Sequence, residues 1–298
     1  MLDHLLTEQV NPDSRDIDSQ PTLEIVRILN REDQKVAEAV KAEVSQIALA
    51  VDAVVRAMQT GGRLFYIGAG TSGRLGVLDA AECSPTFSVS PELVQGIMAG
   101  GEAALARATE ATEDDPGSGK SDVLARGFTA RDVLVGIAAS GRTPYVLGAV
   151  KQAREMGAVT VGISCTPGSE LARAVDIPIT PLTGPEVIAG STRLKAGTAT
   201  KMVLNMISTG TMIRLGHVYG NLMVNVQPRN AKLQARACRI IATACGVNAE
   251  RAADLLALSG RSVKTAIVMG LLGFDRAAAQ ERLAASGGRV SLALAPGK

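Results

Sequence analysis

The stretch that decides the fold is YIGAGTSGRLGVLDAAEC, Tyr66 to Cys83. An apolar run leads into glycines with G-x-G-x-x-G spacing at Gly68, Gly70 and Gly73, and a helix-forming segment follows. A glycine-rich turn between a strand and a helix presents backbone amides to an anion. The stretch therefore predicts an anion site, with a tight turn whose glycines serve packing alone as the alternative.

The residues within this loop favour a small phosphate over a dinucleotide. A dinucleotide site requires an acid at the end of the next strand, about 20 residues on. Here the nearest acid, Glu92, precedes that strand. Thr71 and Ser72 instead place two hydroxyl groups in the loop, where they can donate to phosphate oxygens.

Short apolar, β-branched runs recur along the chain and alternate with helical patterns. Unbroken apolar runs indicate strands buried on both faces, and intervening helices indicate parallel crossovers. We predict an α/β fold with a doubly wound, five-stranded parallel sheet. Pro178 lacks a backbone donor and places the last strand at an edge. The runs are 63–68, 93–100, 132–140, 159–165 and 176–182.

Three regions are predicted from the patterning. Residues 1–50 form an N-terminal helical arm, 51–225 the α/β domain, and 226–298 a small helical cap. In the cap, 248–285 divides into three short helices with capping residues Asn248, Ser262 and Asp275. The glycine-rich segment 113–122 is predicted to be a flexible loop.

Composition excludes several classes of partner and cofactor. The 31 Lys and Arg residues nearly balance 29 Asp and Glu residues, and aromatic content is only 2%, so no nucleic-acid surface is expected. No signal peptide or membrane span is recognised, and we expect a cytoplasmic protein. The four cysteines lack metal-ligand spacing, so we expect reduced thiols, no metal and no cofactor.

A second loop of the same type, AASGRTPYV, follows the third predicted strand. Ser140, Gly141 and Arg142 precede Thr143, which is suited to cap the next helix because Pro144 follows it. Loops at the carboxyl ends of parallel strands line one crevice, so two such loops can grip one phosphate. The pair favours a phosphomonoester over a long cofactor.

This pairing resembles the SIS (sugar isomerase) domain, which binds phosphosugars through Ser/Thr-rich loops. Over nearly the whole chain the sequence further resembles the N-acetylmuramic acid 6-phosphate etherase family. The segments that carry the resemblance are PTLEIVRILNREDQKV, GAGTSGRLGVLDAAECSPTF, GIMAGGEAALARATEATEDD, GIAASGRTPYV, VGISCTPGS, STRLKAGTATKMVLNMISTG and YGNLMVNV. It implies hydrolytic removal of D-lactate from the phosphosugar during recycling of cell-wall fragments, which gives N-acetylglucosamine 6-phosphate.

The resemblance also implies two catalytic carboxylates. Glu82 matches the acid that protonates leaving lactate, and Glu113 matches the second carboxylate, assigned as the base. A general acid must hold its proton near neutral pH, which requires desolvation or a nearby negative charge. Glu82 lies among Ala80, Ala81 and Cys83, the more apolar setting. Of the two histidines, neither His4 nor His217 is expected to be catalytic.

Spacing along the helix raises a geometric question. Ten residues separate Ser72 from Glu82, which is about 15 Å along one helix. That distance exceeds the span from phosphate to C3 in a hexose. Either the helix is short or bent around Gly76, or Glu82 serves the site of a second subunit. We favour a homodimer with a shared active site.

A third segment, GPEVIAGSTRLKAGTATK at 184–201, places Lys195 and two hydroxyl residues at the start of a long helix. Such a group suits a phosphate or carboxylate, and Lys195 is predicted to bind substrate, with a solvated lysine as the alternative. Two other functions stay open at this point: a phosphosugar sensor without turnover, and a ketose/aldose isomerase. The two carboxylates argue against the sensor, and the scarcity of histidine argues against the isomerase.

Overall fold

The computed structural model describes residues 6–106 and 112–295. The described chain divides into two compact units, one of residues 1–81 and 91–208, the other of residues 82–90 and 209–298. Each unit consists of two separate segments of the chain, whereas the prediction gave three consecutive regions with boundaries at 50 and 225. The predicted division into three regions stays a prediction.

The first unit is built around a parallel sheet of five strands. The strands are β1 (Leu64–Gly68), β2 (Val94–Met98), β3 (Val133–Ile137), β4 (Val159–Ile163) and β5 (Ile177–Ile179). All neighbours pair in parallel in the order β2-β1-β3-β4-β5. Every residue of β1 and β3 is buried, as expected of strands covered on both faces. The predicted doubly wound sheet is confirmed, and Pro178 lies on an edge strand.

Helices connect and cover these strands. The N-terminal part begins with short 3-10 turns at Leu6–Glu8, Pro12–Ser14 and Ile17–Ser19. The helices are α1 (Thr22–Lys41), α2 (Val44–Gln59), α3 (Gly70–Phe87), α4 (Ala103–Ala106), α5 (Pro116–Ala125), α6 (Pro144–Glu155), α7 (Glu170–Ala174) and α8 (Lys195–Arg214). One continuous core joins alternate residues of the central strands, such as Phe65, Ile67 and Leu134, to α6 residues such as Val146.

Most of the segment 113–122, for which a flexible loop was predicted, is helical, since α5 begins at Pro116. Asp115 caps α5 by accepting from Gly117 N at 2.8 Å, and Pro116 occupies the first helical position. The glycines that suggested a loop serve close packing instead: a Cβ on Gly119 would lie 1.9 Å from Tyr145 O. Because no side chain intervenes there, α5 packs directly against α6.

The second unit contains a helical core of its own. Its helices are α9 (Ala231–Cys245), α10 (Ala249–Leu258), α11 (Val263–Leu272), α12 (Arg276–Ala285) and α13 (Val290–Ala293). The predicted caps are confirmed, since Asn248, Ser262 and Asp275 each accept a hydrogen bond from an amide of the first turn. The predicted set of three helices is too small because α9 and α13 were missed. Asn230 and Gly246, which cap α9, carried that signal.

No single helix among residues 6–106 and 112–295 is long and apolar enough to cross a membrane. The bent pair α10 and α11 meets the criteria of length and composition only when both helices are taken together.

Candidate active site

The first predicted loop lies where β1 passes into α3. A Cβ on Gly73 would lie 2.5 Å from Gly68 O, so both positions need glycine for the strand end and the helix start to approach. Gly70 has φ +53°, in the left-handed region that favours glycine. Thr71 and Ser72 are half-buried in the first turn of α3, where the helix leaves amides without intrahelical partners. The loop therefore combines two hydroxyl groups with unpaired donors.

The second loop joins β3 to α6 and is held from behind. Gly141 has φ +66°, and a Cβ there would lie 2.3 Å from the Ser169 side chain. Gly141 O accepts from Leu171 N at 2.9 Å, which ties this loop to the start of α7. Ser140 is half-buried and its Oγ accepts from Arg142 N at 3.4 Å, while Arg142 is exposed.

The sheet places these two loops side by side. β1 and β3 are adjacent parallel strands, and Gly68 is the register partner of Ile137, the last residue of β3. Both loops therefore leave the sheet at its carboxyl end. The structure thus places both groups of residues, Gly70, Thr71 and Ser72 and Ser140, Gly141 and Arg142, after adjacent parallel strands, and their joint binding of one anion stays a prediction.

Space is present beside the second loop. A cleft of about 250 Å³ opens there, between the loops that follow β3 and β4. Two guanidinium groups and several hydroxyl groups line it, a composition suited to anions, together with one acidic residue, Glu170. Its lining includes Ser140, Arg142, Thr166, Ser169 and Arg173.

Glu113 lies against the second loop. Its carbonyl accepts from Tyr145 N at 3.1 Å, and its carboxylate Oε1 accepts from Thr143 Oγ1 at 3.3 Å. Thr143 occupies the N-cap position of α6 as predicted, but its side chain makes no capping bond and binds Glu113 instead. Glu113 is half-buried. One predicted catalytic residue is therefore fixed to the predicted phosphate loops.

Glu82 lies on α3, well beyond the first loop. The helix runs without interruption from Gly70 to Phe87, so Glu82 lies about 15 Å from Ser72 along the axis. A short helix therefore does not explain how Glu82 could reach the phosphate loop of its own subunit. Glu82 is exposed, and the apolar surroundings expected for an acid are not formed around it by its own helix.

Lys195 is not solvated. Its side chain is 1% exposed, and its ammonium lies 2.6 Å from Glu32 Oε2. The amides of Lys195 and Ala196 donate to the carboxylate of Glu186, each at 2.9 Å. The first amides of α8 and the lysine charge are thus occupied within the protein, and substrate binding by Lys195 stays a prediction.

Two buried carboxylates escaped the sequence reasoning. Asp79 on α3 is 6% exposed and accepts from Tyr66 OH, Asn205 Nδ2 and Ser208 Oγ at 2.9, 2.7 and 3.1 Å. Glu32 on α1 is the partner of Lys195. Neither burial has a local signal, because Asn205, Ser208 and Lys195, which contact these carboxylates, come from segments distant in the sequence.

The histidines and possible metal ligands add little to this site. His217 lies in the second unit, where burial lowers its pKa and its Nδ1 is hydrogen-bonded to Asn225. His4 lies outside the described residues. Within the described ranges no group of three or more His, Cys, Asp or Glu residues is arranged to hold a metal ion.

Comparison with known proteins places the chain among phosphosugar proteins. A model of the glucokinase regulatory protein N-terminal SIS domain matches residues 46–154, and a model of the SIS domain matches residues 119–209. The chain is 52% identical to the N-acetylmuramic acid 6-phosphate etherase of Salmonella dublin over 97% of its length and 98% of the relative's. It is 53% identical to that of Cronobacter sakazakii over 99% of both chains.

A solved structure agrees on the fold. A protein from Bacteroides fragilis, described as a phosphosugar isomerase involved in capsule formation, superposes with a TM-score of 0.51 at 20% identity. The match covers 65% of this chain and 91% of the other. This likeness supports the sheet and its flanking helices, and nothing about activity follows from it.

Proposed function

The chain belongs to the N-acetylmuramic acid 6-phosphate etherase family, and from this premise we propose how its residues divide the work of the reaction. The enzyme cleaves the lactyl ether of N-acetylmuramic acid 6-phosphate with water and yields N-acetylglucosamine 6-phosphate and D-lactate. The open questions are which groups bind the phosphate, which move protons, and whether one subunit suffices.

The assignment rests on one observation: two hydroxyl-bearing loops follow adjacent strands at the carboxyl end of the sheet. The first contributes Gly70, Thr71 and Ser72 with the amides of the first turn of α3. The second contributes Ser140, Gly141 and Arg142, with the guanidinium exposed. A phosphomonoester between them would receive neutral donors from one side and a charged donor from the other. Thr143 and Lys195 are assigned to the same region, with their side chains on Glu113 and Glu32.

The chemistry requires one base and one acid. In the ring-opened sugar the ether oxygen at C3 lies β to the C1 aldehyde, so removal of the C2 proton by the Glu113 carboxylate lets the C3–O bond break. Glu82 in its protonated form gives its proton to the departing lactate oxygen. Water then adds at C3 of the unsaturated aldehyde, and the C2 position regains a proton. Cleavage of the C3–O bond and addition of water at C3 each require a proton donor and a proton acceptor.

The position of Glu82 supports a shared site. On α3 Leu78 and Pro85, each one turn away, and Ala81, the preceding residue, are all exposed, and Leu78 is 50% exposed. This spacing of three and four residues makes an apolar face beside the carboxylate. A second copy covering that face would desolvate Glu82, as an acid requires, and would remove the 15 Å problem by supplying Glu82 to the partner's phosphate loops. We assign the enzyme to the cytoplasm as a homodimer.

Substitution of the two carboxylates tests the assignment. Glu82→Gln and Glu113→Gln remove the proton-transfer group but keep side-chain size, so each is expected to reduce lactate release by at least about a hundredfold. Released lactate is measured from the phosphorylated sugar, and circular dichroism verifies folding. Glu155→Gln, an exposed change at the far end of α6, serves as the matched control and is expected to act like the parent.

Near-normal turnover in either folded variant would overturn that residue's role. Binding of the phosphosugar by the parent chain without any lactate release would instead favour the sensor function.

A further inference from the structure

Lys195 takes part in a buried ion pair at the start of α8. Lys195 and Glu32 are 1% and 2% exposed, and their charged groups are 2.6 Å apart. Removing one member of a buried pair leaves an uncompensated charge, which is strongly unfavourable. Each residue therefore fixes the other, and the pair joins α1 to α8 across 163 positions of sequence.

Glu32 is a junction for further hydrogen bonds. It also accepts from Lys35 and, at 2.8 Å, from Asn11 Nδ2. Burial alone would raise the pKa of Glu32, but hydrogen bonds from its two lysines and from Asn11 lower it to about 2. Asn11 Nδ2 donates in addition to Pro185 O at 3.1 Å. The Asn11 amide thus connects the N-terminal segment both to Glu32 and to the loop that precedes α8.

That loop is fastened at several more points. Ser14 Oγ donates to Val187 O at 2.7 Å, and Gly190 N donates to Thr7 O at 2.9 Å. Glu186 is 1% exposed and accepts the first two amides of α8, while burial raises its pKa. Both the backbone and the charges at the start of α8 are therefore held by the protein itself.

The first turn of α8 lies against the first phosphate loop. A methyl group on Gly197 would lie 3.5 Å from Thr71 Cγ2, ordinary van der Waals contact. Gly197 is two residues from Lys195, so a shift at the ion pair would be passed to Thr71 within one helical turn. The Thr71 methyl is separated from the backbone of α8 by about the space of one methyl group, so this shift would change the room available to Thr71.

We infer that Lys195 is a positioning residue: with Glu32 it fixes the first turn of α8 as a wall against Thr71 and so keeps the phosphate loop in its binding geometry. The inference rests on the proposed function of that loop. Lys195 then affects substrate binding through α8 and Thr71 and does not contact the substrate. The N-terminal segment also contributes to substrate affinity, because Asn11 binds Glu32.

The test compares Lys195→Met with the same kind of change at a second ion pair, in which Asp132 is buried and Arg63 is half-buried. Arg63 and Asp132 lie 3.0 Å apart just before β1 and β3, at the end of the sheet opposite the loops. Lys195→Met and Arg63→Met should both lower the melting temperature. Only Lys195→Met should raise KM for N-acetylmuramic acid 6-phosphate, by about tenfold, with kcat changed less than about threefold.

Glu32→Gln distinguishes a positioning role of Lys195 from direct phosphate binding. It also provides the test if Lys195→Met does not fold. Positioning predicts that Glu32→Gln also raises KM, because the lysine loses its charged partner. If Lys195 contacts phosphate directly, Glu32→Gln leaves KM unchanged or lowers it, and the inference is wrong. An unchanged KM in folded Lys195→Met would also overturn it.

Ser72→Ala, measured in the same assay, reports on the phosphate loop. Loss of lactate release is expected, and a parental kcat/KM in this variant would reject the loop assignment itself and not the role of Lys195.

Discussion

At the scale of single residues, Thr143 has two candidate roles: binding the phosphate and orienting Glu113. It occupies the N-cap position of α6, yet its hydroxyl donates to Glu113 at 3.3 Å and leaves the helix amides to other partners. It also directly follows Arg142 in the second loop. Thr143 can therefore act on the phosphate, as its sequence position suggests, or on the orientation of the proposed base.

Substitution of Thr143 distinguishes these roles. Thr143→Val removes the hydroxyl but keeps the shape, so loss of the hydrogen bond to Glu113 is expected to lower kcat by roughly three- to tenfold with little change in KM. Steady-state kinetics of lactate release provide both constants. Thr143→Ser retains the donor and is the matched control. A raised KM with an unchanged kcat would assign Thr143 to phosphate binding.

At the scale of elements, α3 is positioned by close contact with β1. Gly76 is buried, and a Cβ there would lie 2.9 Å from Tyr66 Cβ. Tyr66 cannot retreat easily, because it is fully buried and its hydroxyl is bonded to Asp79 of the same helix. The close packing of α3 on β1 therefore depends on the absence of a methyl group at Gly76.

Replacement of Gly76 by alanine measures that contact. Alanine favours helix, but the clash should dominate and lower the free energy of unfolding by about 1–3 kcal/mol. Gly197→Ala in α8 is the control, since its nearest atoms would be 3.4 and 3.5 Å away; it should leave stability unchanged or raise it by up to about 1 kcal/mol. Urea titrations give both values. Equal effects at the two positions would mean that helix propensity alone decides.

At the scale of the whole molecule, the proposed shared site makes a prediction about mixed dimers. Ser72→Ala and Glu82→Gln each inactivate both sites of their own homodimer. A dimer of one chain of each kind would contain one site with both residues intact. Random mixing is therefore expected to restore roughly a quarter of parental lactate release.

A second mixture controls for nonspecific recovery. Ser72→Ala combined with Ser140→Ala should restore nothing, because both residues belong to the loops of one subunit. Absence of recovery in verified Ser72→Ala and Glu82→Gln heterodimers would contradict the shared site.

Much of the fold could be predicted because its signals are local. The five strands, their parallel order and the capped helices follow from apolar runs, glycines and capping residues within a few positions of each other. Where the prediction was wrong, at α5, two local signals competed. Asp115 and Pro116 favoured a helix start, and the glycines that outweighed them are there to admit α6.

The sequence by itself determined the strand, loop and helix around Gly70, the pairing of two hydroxyl-bearing loops and the family. These depend on residues that are neighbours in the chain or follow neighbouring strands. Only the tertiary structure decided that Lys195 binds Glu32, that Thr143 binds Glu113 and that Glu82 is exposed on its helix. A buried charge is placed by whichever distant segment can neutralise it, and no pattern of nearby residues specifies that partner.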